Sequence, residues 1–120
     1  KKFAVTWAYR YQDALQHIAQ KNHDIYIYDF FLGAKNGLDL IRETKAMDED
    51  ATIVLLTGKG NSDVDRQATE LGAMDYLIKS ELDSEKVERS IRYSLERMSA
   101  LRALRESERK YRNIFDHSQD

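Results

Sequence analysis

Cysteine and proline are absent from the 120 residues, and glycine occurs only five times. Without cysteine there is neither a disulfide framework nor a thiolate metal site, and a cytoplasmic home is the default expectation. Formal charge is only −2, so no net field draws the molecule toward nucleic acid. No uninterrupted apolar run approaches the roughly 20 residues of a membrane span. The opening KKFAVTWAYR is too short and too aromatic to be a secretory signal. What is left is a globular balance, 42% apolar and 33% charged, enough for one domain of ordinary size and something extra.

The extra part shows in the charge. Residues 1–79 hold 10 Lys/Arg and 12 Asp/Glu, whereas residues 80–120 hold 9 of each in about half the length. Before residue 80 two periods alternate. FAVTWA (Phe3–Ala8) reads as a strand and Tyr11–Lys21 as an amphipathic helix with Ala14, Leu15, Ile18 and Ala19 on one face. DIYIY is a second strand, and a helix opened by Gly37 and Asp39 carries Leu38, Leu40, Ile41 and Met47. ATIVLL (Ala51–Leu56) has the near-continuous apolar character of a strand buried on both faces. A helix over about Val64–Leu71, stopped by Gly72, leads to the last strand, MDYLI (Met74–Ile78). Strands alternating with helices through short loops predict an α/β domain on a parallel sheet. Such sheets bind ligands beyond the carboxyl ends of their strands.

From Asp83 or Ser84, either of which can act as N-cap, the pattern is helical with no Gly or Pro to interrupt it. A helix to about Arg112 is on the order of 40 Å long. Its first half, with Val87, Ile91, Leu95 and Met98 in one stripe, is expected to pack on the sheet. Its second half, with Leu101, Leu104 and Tyr111, is expected to leave the domain and find a partner helix. Arg89, Arg92, Arg97, Arg102, Arg105 and Arg109 are interleaved with Glu88, Glu96, Glu106 and Glu108. That is the pattern of a solvated helix face rather than of a nucleic-acid-binding helix.

Three strand ends carry chemistry. DIYIY stops at Asp29, ATIVLL at Thr57 and MDYLI at Lys79, so one sheet edge offers a carboxylate, a hydroxyl and an ammonium. A carboxylate can attack phosphorus and become an acyl phosphate, whose oxygens then need donors such as a hydroxyl and an ammonium. Each residue has a plainer alternative: a turn-forming acid for Asp29, a loop cap for Thr57 and a simple salt bridge to Asp29 for Lys79. The three together favour a phosphoryl site.

At this point the sequence resembles the receiver domains of two-component response regulators, from Phe3 to about Met98. The resemblance rests on YDFFLGAKNGLDLI, IVLLTGKG, ATELGAMDYLIK and ELDSEKVERSIRYSLER. It implies a flavodoxin-like parallel α/β fold in which Asp29 accepts phosphate from a histidine kinase or phosphotransfer protein. Thr57 and Lys79 would then contact the phosphoryl group, and Tyr76 would be a switch aromatic moving with Thr57. It also implies Mg²⁺, held by Asp29 and the backbone carbonyl of Phe31, with Gly33, Asn36 and Gly37 shaping the intervening loop.

The chain departs from that family in three places. The acidic pair that normally ends the family's first strand is not present, and KKFAVTWA corresponds to the family's second strand. The expectation is therefore an N-terminally truncated receiver over residues 1–83 whose open sheet either closes up or is completed by domain swapping, and which by itself binds Mg²⁺ poorly. Ser80 stands where many receivers have a proline after the lysine. Phe31 and Lys59, two positions past Asp29 and Thr57, occupy places that influence water access; Phe31 is expected to shield an acyl phosphate.

Residues 84–112 are expected to extend the last receiver helix into a coiled-coil signalling helix that forms a homodimer. LRESERKYRNIFDHSQD resembles the lead-in to a PAS sensor domain, beginning near residue 113. The leading function is a phosphoacceptor signalling domain, not a turnover enzyme. The alternative is a receiver-like dimerisation or interaction module that works without phosphorylation.

Overall fold

The computed structural model describes residues 3–32, 35–59 and 61–117. Gly33, expected to help shape a turn, and residues 118–120 of the PAS-like lead-in lie outside the described residues. The apolar run at 53–57 becomes the central strand of a three-stranded parallel sheet. Its strands are β1 (Tyr26–Asp29), β4 (Ile53–Thr57) and β5 (Asp75–Ile78), in the order β1-β4-β5. Register pairs Tyr28 with Leu55 and Asp29 with Leu56 on one side of β4, and Leu55 with Tyr76 and Thr57 with Ile78 on the other. Successive side chains of a strand point to opposite faces. Tyr28, Ile53 and Leu55 therefore share one face, while Val54 joins the other.

On the first face lie α1 (Tyr11–Gln20), α2 (Gly37–Met47) and α3 (Ser62–Leu71), packed side by side. Ile18, Leu38, Leu40, Ile41 and Ala68 close the core over Tyr28, Ile53 and Leu55. Alpha helix α2 starts on a reciprocal cap. The Asp39 N–H donates to Asn36 Oδ1, and the Asn36 N–H donates to Asp39 Oδ2, both at 3.0 Å. Helix α3 ends at Gly72, whose φ of 109° is a left-handed conformation that glycine adopts without a Cβ clash.

The opposite face is covered by α4 (Ser84–His117), which contacts β4 and β5 and buries Ser90, Ile91, Ser94 and Met98. Asp83 rather than Ser84 caps it, accepting the Lys86 N–H at 2.7 Å. Ser90 Oγ donates to Asp75 Oδ2 at 2.7 Å, fixing the helix to β5. The helix runs five residues past the expected stop near Arg112.

The expected strand at Phe3–Ala8 does not form. Residues 3–9 pair with nothing in either sheet, and Phe3, Val5, Trp7 and Tyr9 are exposed. A strand is not a local structure: without a neighbour to complete its ladder, β-propensity yields only extended chain. Among the described residues no strand pairs with the outer edge of β1, and Ile27 in that strand is exposed. Two short strands, β2 (Phe31–Leu32) and β3 (Lys35–Asn36), pair antiparallel between β1 and α2.

Candidate functional site

All three residues singled out at the strand ends lie at the carboxyl edge of the sheet. Asp29 is the last residue of β1, Thr57 the last of β4, and Lys79 follows β5 directly. Lysine reaches across the end of β4, and its Nζ stands 2.7 Å from Asp29 Oδ2. The other carboxylate oxygen, Oδ1, accepts the backbone N–H of Phe31 at 3.0 Å. Both oxygens of Asp29 are thus held by donors, and the acid has a defined orientation. The two side chains are about 40% exposed (Lys79 41%, Asp29 39%), so the pair adds little to stability, roughly 0–1 kcal/mol. Its significance is placement.

Thr57 lies one register step past Leu56, the partner of Asp29. Its side chain is fully buried, and the hydroxyl oxygen has no hydrogen-bond partner. A buried polar group without a partner costs about 1–3 kcal/mol, so such groups call for an explanation. Thr57 ends β4, the strand that lies between those that carry Asp29 and Lys79 to the same edge. Tyr76, on β5, is 42% exposed. It shares the Thr57 face of the sheet through the Leu55–Tyr76 register.

Two residues carry more than the sequence indicates. Gly37 is the first residue of α2 rather than a turn residue, and its N–H donates to the Phe30 carbonyl at 2.8 Å. A Cβ there would lie 2.6 Å from Leu55 Cδ1 and 2.9 Å from the Asp29 carbonyl oxygen. The sequence signal was a poor helix former at a helix start. Phe31 grips the site twice, with its N–H on Asp29 and its ring 5.8 Å from Lys79 Nζ. The ring is 69% exposed and lies edge-on to Phe30 at 5.0 Å.

The residues assigned to Mg²⁺ by the resemblance are Asp29 and the Phe31 carbonyl. A hard cation of this size wants near-octahedral oxygen coordination. Among the described residues no cluster of three or more His, Cys, Asp or Glu side chains is placed to hold a metal. Asp29 is already engaged by Lys79 and by the Phe31 N–H. One carboxylate and one carbonyl do not make a metal cage. Ser80 imposes no unusual bond; every described peptide is trans, and Lys79 opens a short 3₁₀ turn, Lys79–Glu81. No described helix is long and apolar enough to cross a membrane.

The chain is similar to known proteins. The chain is 32% identical over 69 residues to transcriptional regulatory protein MalR of Bacillus subtilis, a match covering 58% of this chain and 29% of that protein. Over 68 residues it is 34% identical to two-component response regulator PhoP of Pseudomonas aeruginosa, covering 57% and 30% respectively. The chain therefore matches about three tenths of the length of these curated relatives. A solved response regulator receiver domain protein from Clostridium thermocellum superposes with a TM-score of 0.69 at 27% identity, covering 78% of this chain and 75% of that one. A family profile, response regulator receiver domain, matches residues 1–92. By fold, by strand-end chemistry and by this match, the chain belongs to the receiver domains of two-component response regulators.

Proposed function

We propose that this receiver domain is a phosphoacceptor switch in which Asp29 takes a phosphoryl group from a histidine kinase or phosphotransfer protein. Response regulator receiver domains as a family interact with such partners. The observation that carries the reading is the arrangement around one strand end: Asp29 gripped by Lys79 at 2.7 Å, with the unpartnered Thr57 hydroxyl on the strand between them. In the step, an Asp29 carboxylate oxygen forms a bond to phosphorus while the phosphorus–nitrogen bond of the donor histidine breaks. The bond's electron pair leaves with the imidazole, which takes up a proton from solvent.

Lys79 then transfers its interaction from the carboxylate to a phosphoryl oxygen, and the Thr57 hydroxyl donates to another. Both interactions strengthen as charge builds on the transferred group. Tyr76, on the face that Thr57 shares, is the aromatic placed to respond when Thr57 moves. The domain reacts with itself once per signal rather than turning over substrate. Receiver domains generally bind Mg²⁺ at the phosphorylation site, but Asp29 and the Phe31 carbonyl alone do not form such a site in this chain.

The C-terminal helix is the route of output. Leu104 and Ile114 are exposed on it; pairing with a second copy, or strand exchange at the open sheet edge, would make a homodimer that hands the change to a PAS-like or other downstream domain. A second reading, an interaction module indifferent to phosphate, is favoured by one fact: Asp29 has no neighbouring carboxylate cluster among the described residues. Intact-mass measurement after incubation with acetyl phosphate, with and without Mg²⁺, separates the two. The switch predicts a gain of about 80 Da, one phosphoryl group, that Asp29→Asn abolishes; no gain under either condition favours the interaction module.

A further inference from the structure

Sequence periodicity has α4 leaving the body after Met98, the last residue of its buried stripe. The structure keeps it attached for three more turns. Arg102, Arg105 and Arg109 follow at i, i+3 and i+7, continuing the face that carries Ile91, Ser94 and Met98. Across from them is the turn after α2. Asp50 takes two arginines, with Oδ2 3.6 Å from Arg102 Nε and Oδ1 bonded to Arg105. Arg109 Nη2 stands 2.9 Å from Glu49 Oε1. The buried stripe changes chemistry at Met98 but does not change face.

The acidic turn is itself built to present these carboxylates. The Asp50 N–H donates to Asp48 Oδ1 at 3.1 Å, and the Lys45 ammonium donates to the carbonyls of Glu49 (3.1 Å) and Ala51 (2.8 Å). Lys45 in turn lies against Gly72, where a Cβ would come within 2.8 Å of its Cε. Burial first, and the nearby Arg105 charge second, push the Lys45 pKa down. Two cations thus crowd one turn, and its acids lie between them. Asp50 and Arg105 are only 28% and 33% exposed, which gives this pair more weight than a fully solvated one. The Arg109 pair, at 65% and 61% exposed, counts for less.

We propose that the turn Asp48–Asp50 is a releasable electrostatic clamp on the C-terminal helix, holding the helix to the body through Arg109. A helix docked by apolar packing stays docked in salt; one docked by ion pairs of this exposure is held weakly and is loosened by screening. The clamp therefore sets where the free part of the helix begins, near residue 110 when closed and near residue 99 when open. The turn also sits at one end of two elements whose other ends form the site: α2 begins against the Asp29 carbonyl, and β4 ends at Thr57. The proposal rests on the fold and stands whether or not Asp29 accepts phosphate.

The absence of native cysteine allows clean double spin labelling of the full chain at Ala46→Cys and Lys110→Cys, neither of which belongs to the clamp. Pulsed dipolar distance measurement at low salt should give one narrow distribution. It should gain a longer, broader component in about 0.5 M NaCl, where screening acts within a few ångströms. Glu49→Gln with Asp50→Asn should produce the same component at low salt, with the undocked fraction rising roughly five- to tenfold. Helix content by circular dichroism should be unchanged. A distribution indifferent to salt overturns the proposal even if the substituted proteins do not fold. So does an unchanged distribution in the folded neutral variant.

Discussion

The α-carbon of Gly37 is packed so closely beneath Asp29 that a β-carbon on it would fall 2.9 Å from the Asp29 carbonyl oxygen and 2.6 Å from Leu55 Cδ1. The first residue of α2 is thus a spacer that lets a helix start directly against the end of β1. Gly37→Ala should destabilise the domain by about 1–3 kcal/mol through overpacking, although alanine is the better helix former by about 1 kcal/mol. Urea denaturation measures the loss; an equal or more stable alanine variant would show that the strand end yields freely.

Thr57→Val keeps the shape of a fully buried side chain and removes a hydroxyl that has no partner. Stability should hold or rise, by up to about 1–3 kcal/mol, the cost of an unsatisfied buried group. The gain in mass from acetyl phosphate should fall or slow in the same protein. Loss of stability together with normal phosphorylation would mean that the hydroxyl works for the fold and not for the site.

Tyr28 and Thr44 form a buried pair at 2.8 Å, and the Thr44 hydroxyl proton is already given to the Leu40 carbonyl at 2.6 Å. The Tyr28 hydroxyl must therefore be the donor between them. Burial pushes the Tyr28 pKa above the ordinary phenol value of 10.0. A raised folded pKa means the neutral form is the one the fold holds. Its contribution is complete below the unfolded value and is lost as pH rises through the folded one. Denaturation midpoints should fall above about pH 10, and Tyr28→Phe should flatten part of that decline at a cost near 1 kcal/mol at neutral pH. An unaltered alkaline slope in the phenylalanine variant would assign the effect to other groups.

Phe31→Asn replaces a ring that lies beside Lys79 with a small polar group able to orient water. An acyl phosphate on Asp29 should then be lost faster, by on the order of tenfold, or about 1.4 kcal/mol of barrier. Following the decay of the phosphorylated mass over time tests this, and equal decay in both proteins would remove Phe31 from any shielding role.

Much of this was legible in the sequence because periodicity and strand-end chemistry are local. Helix α2 began where Gly37 and Asp39 suggested, and Asp29 and Lys79 met because parallel strands bring their carboxyl ends to one edge. The strand expected at Phe3–Ala8 failed because pairing is nonlocal, and alternation of Phe3, Val5, Trp7 and Tyr9 says nothing about whether a neighbour is there. The hold of Glu49 and Asp50 on the distal arginines was equally invisible. Those charges lie 52 to 60 positions apart and along the chain read as ordinary solvated residues.

The unpaired side of β1 has a practical corollary. Tyr26–Asp29 presents a row of amide donors and carbonyl acceptors beside an apolar Ile27, the kind of template that recruits other extended chains. Phe3, Val5, Trp7 and Tyr9, exposed and outside both sheets, alternate as such a chain would. At millimolar concentration this polypeptide should be more prone to oligomeric β-association than its modest hydrophobicity suggests, and a charged replacement at Ile27 is the simplest remedy.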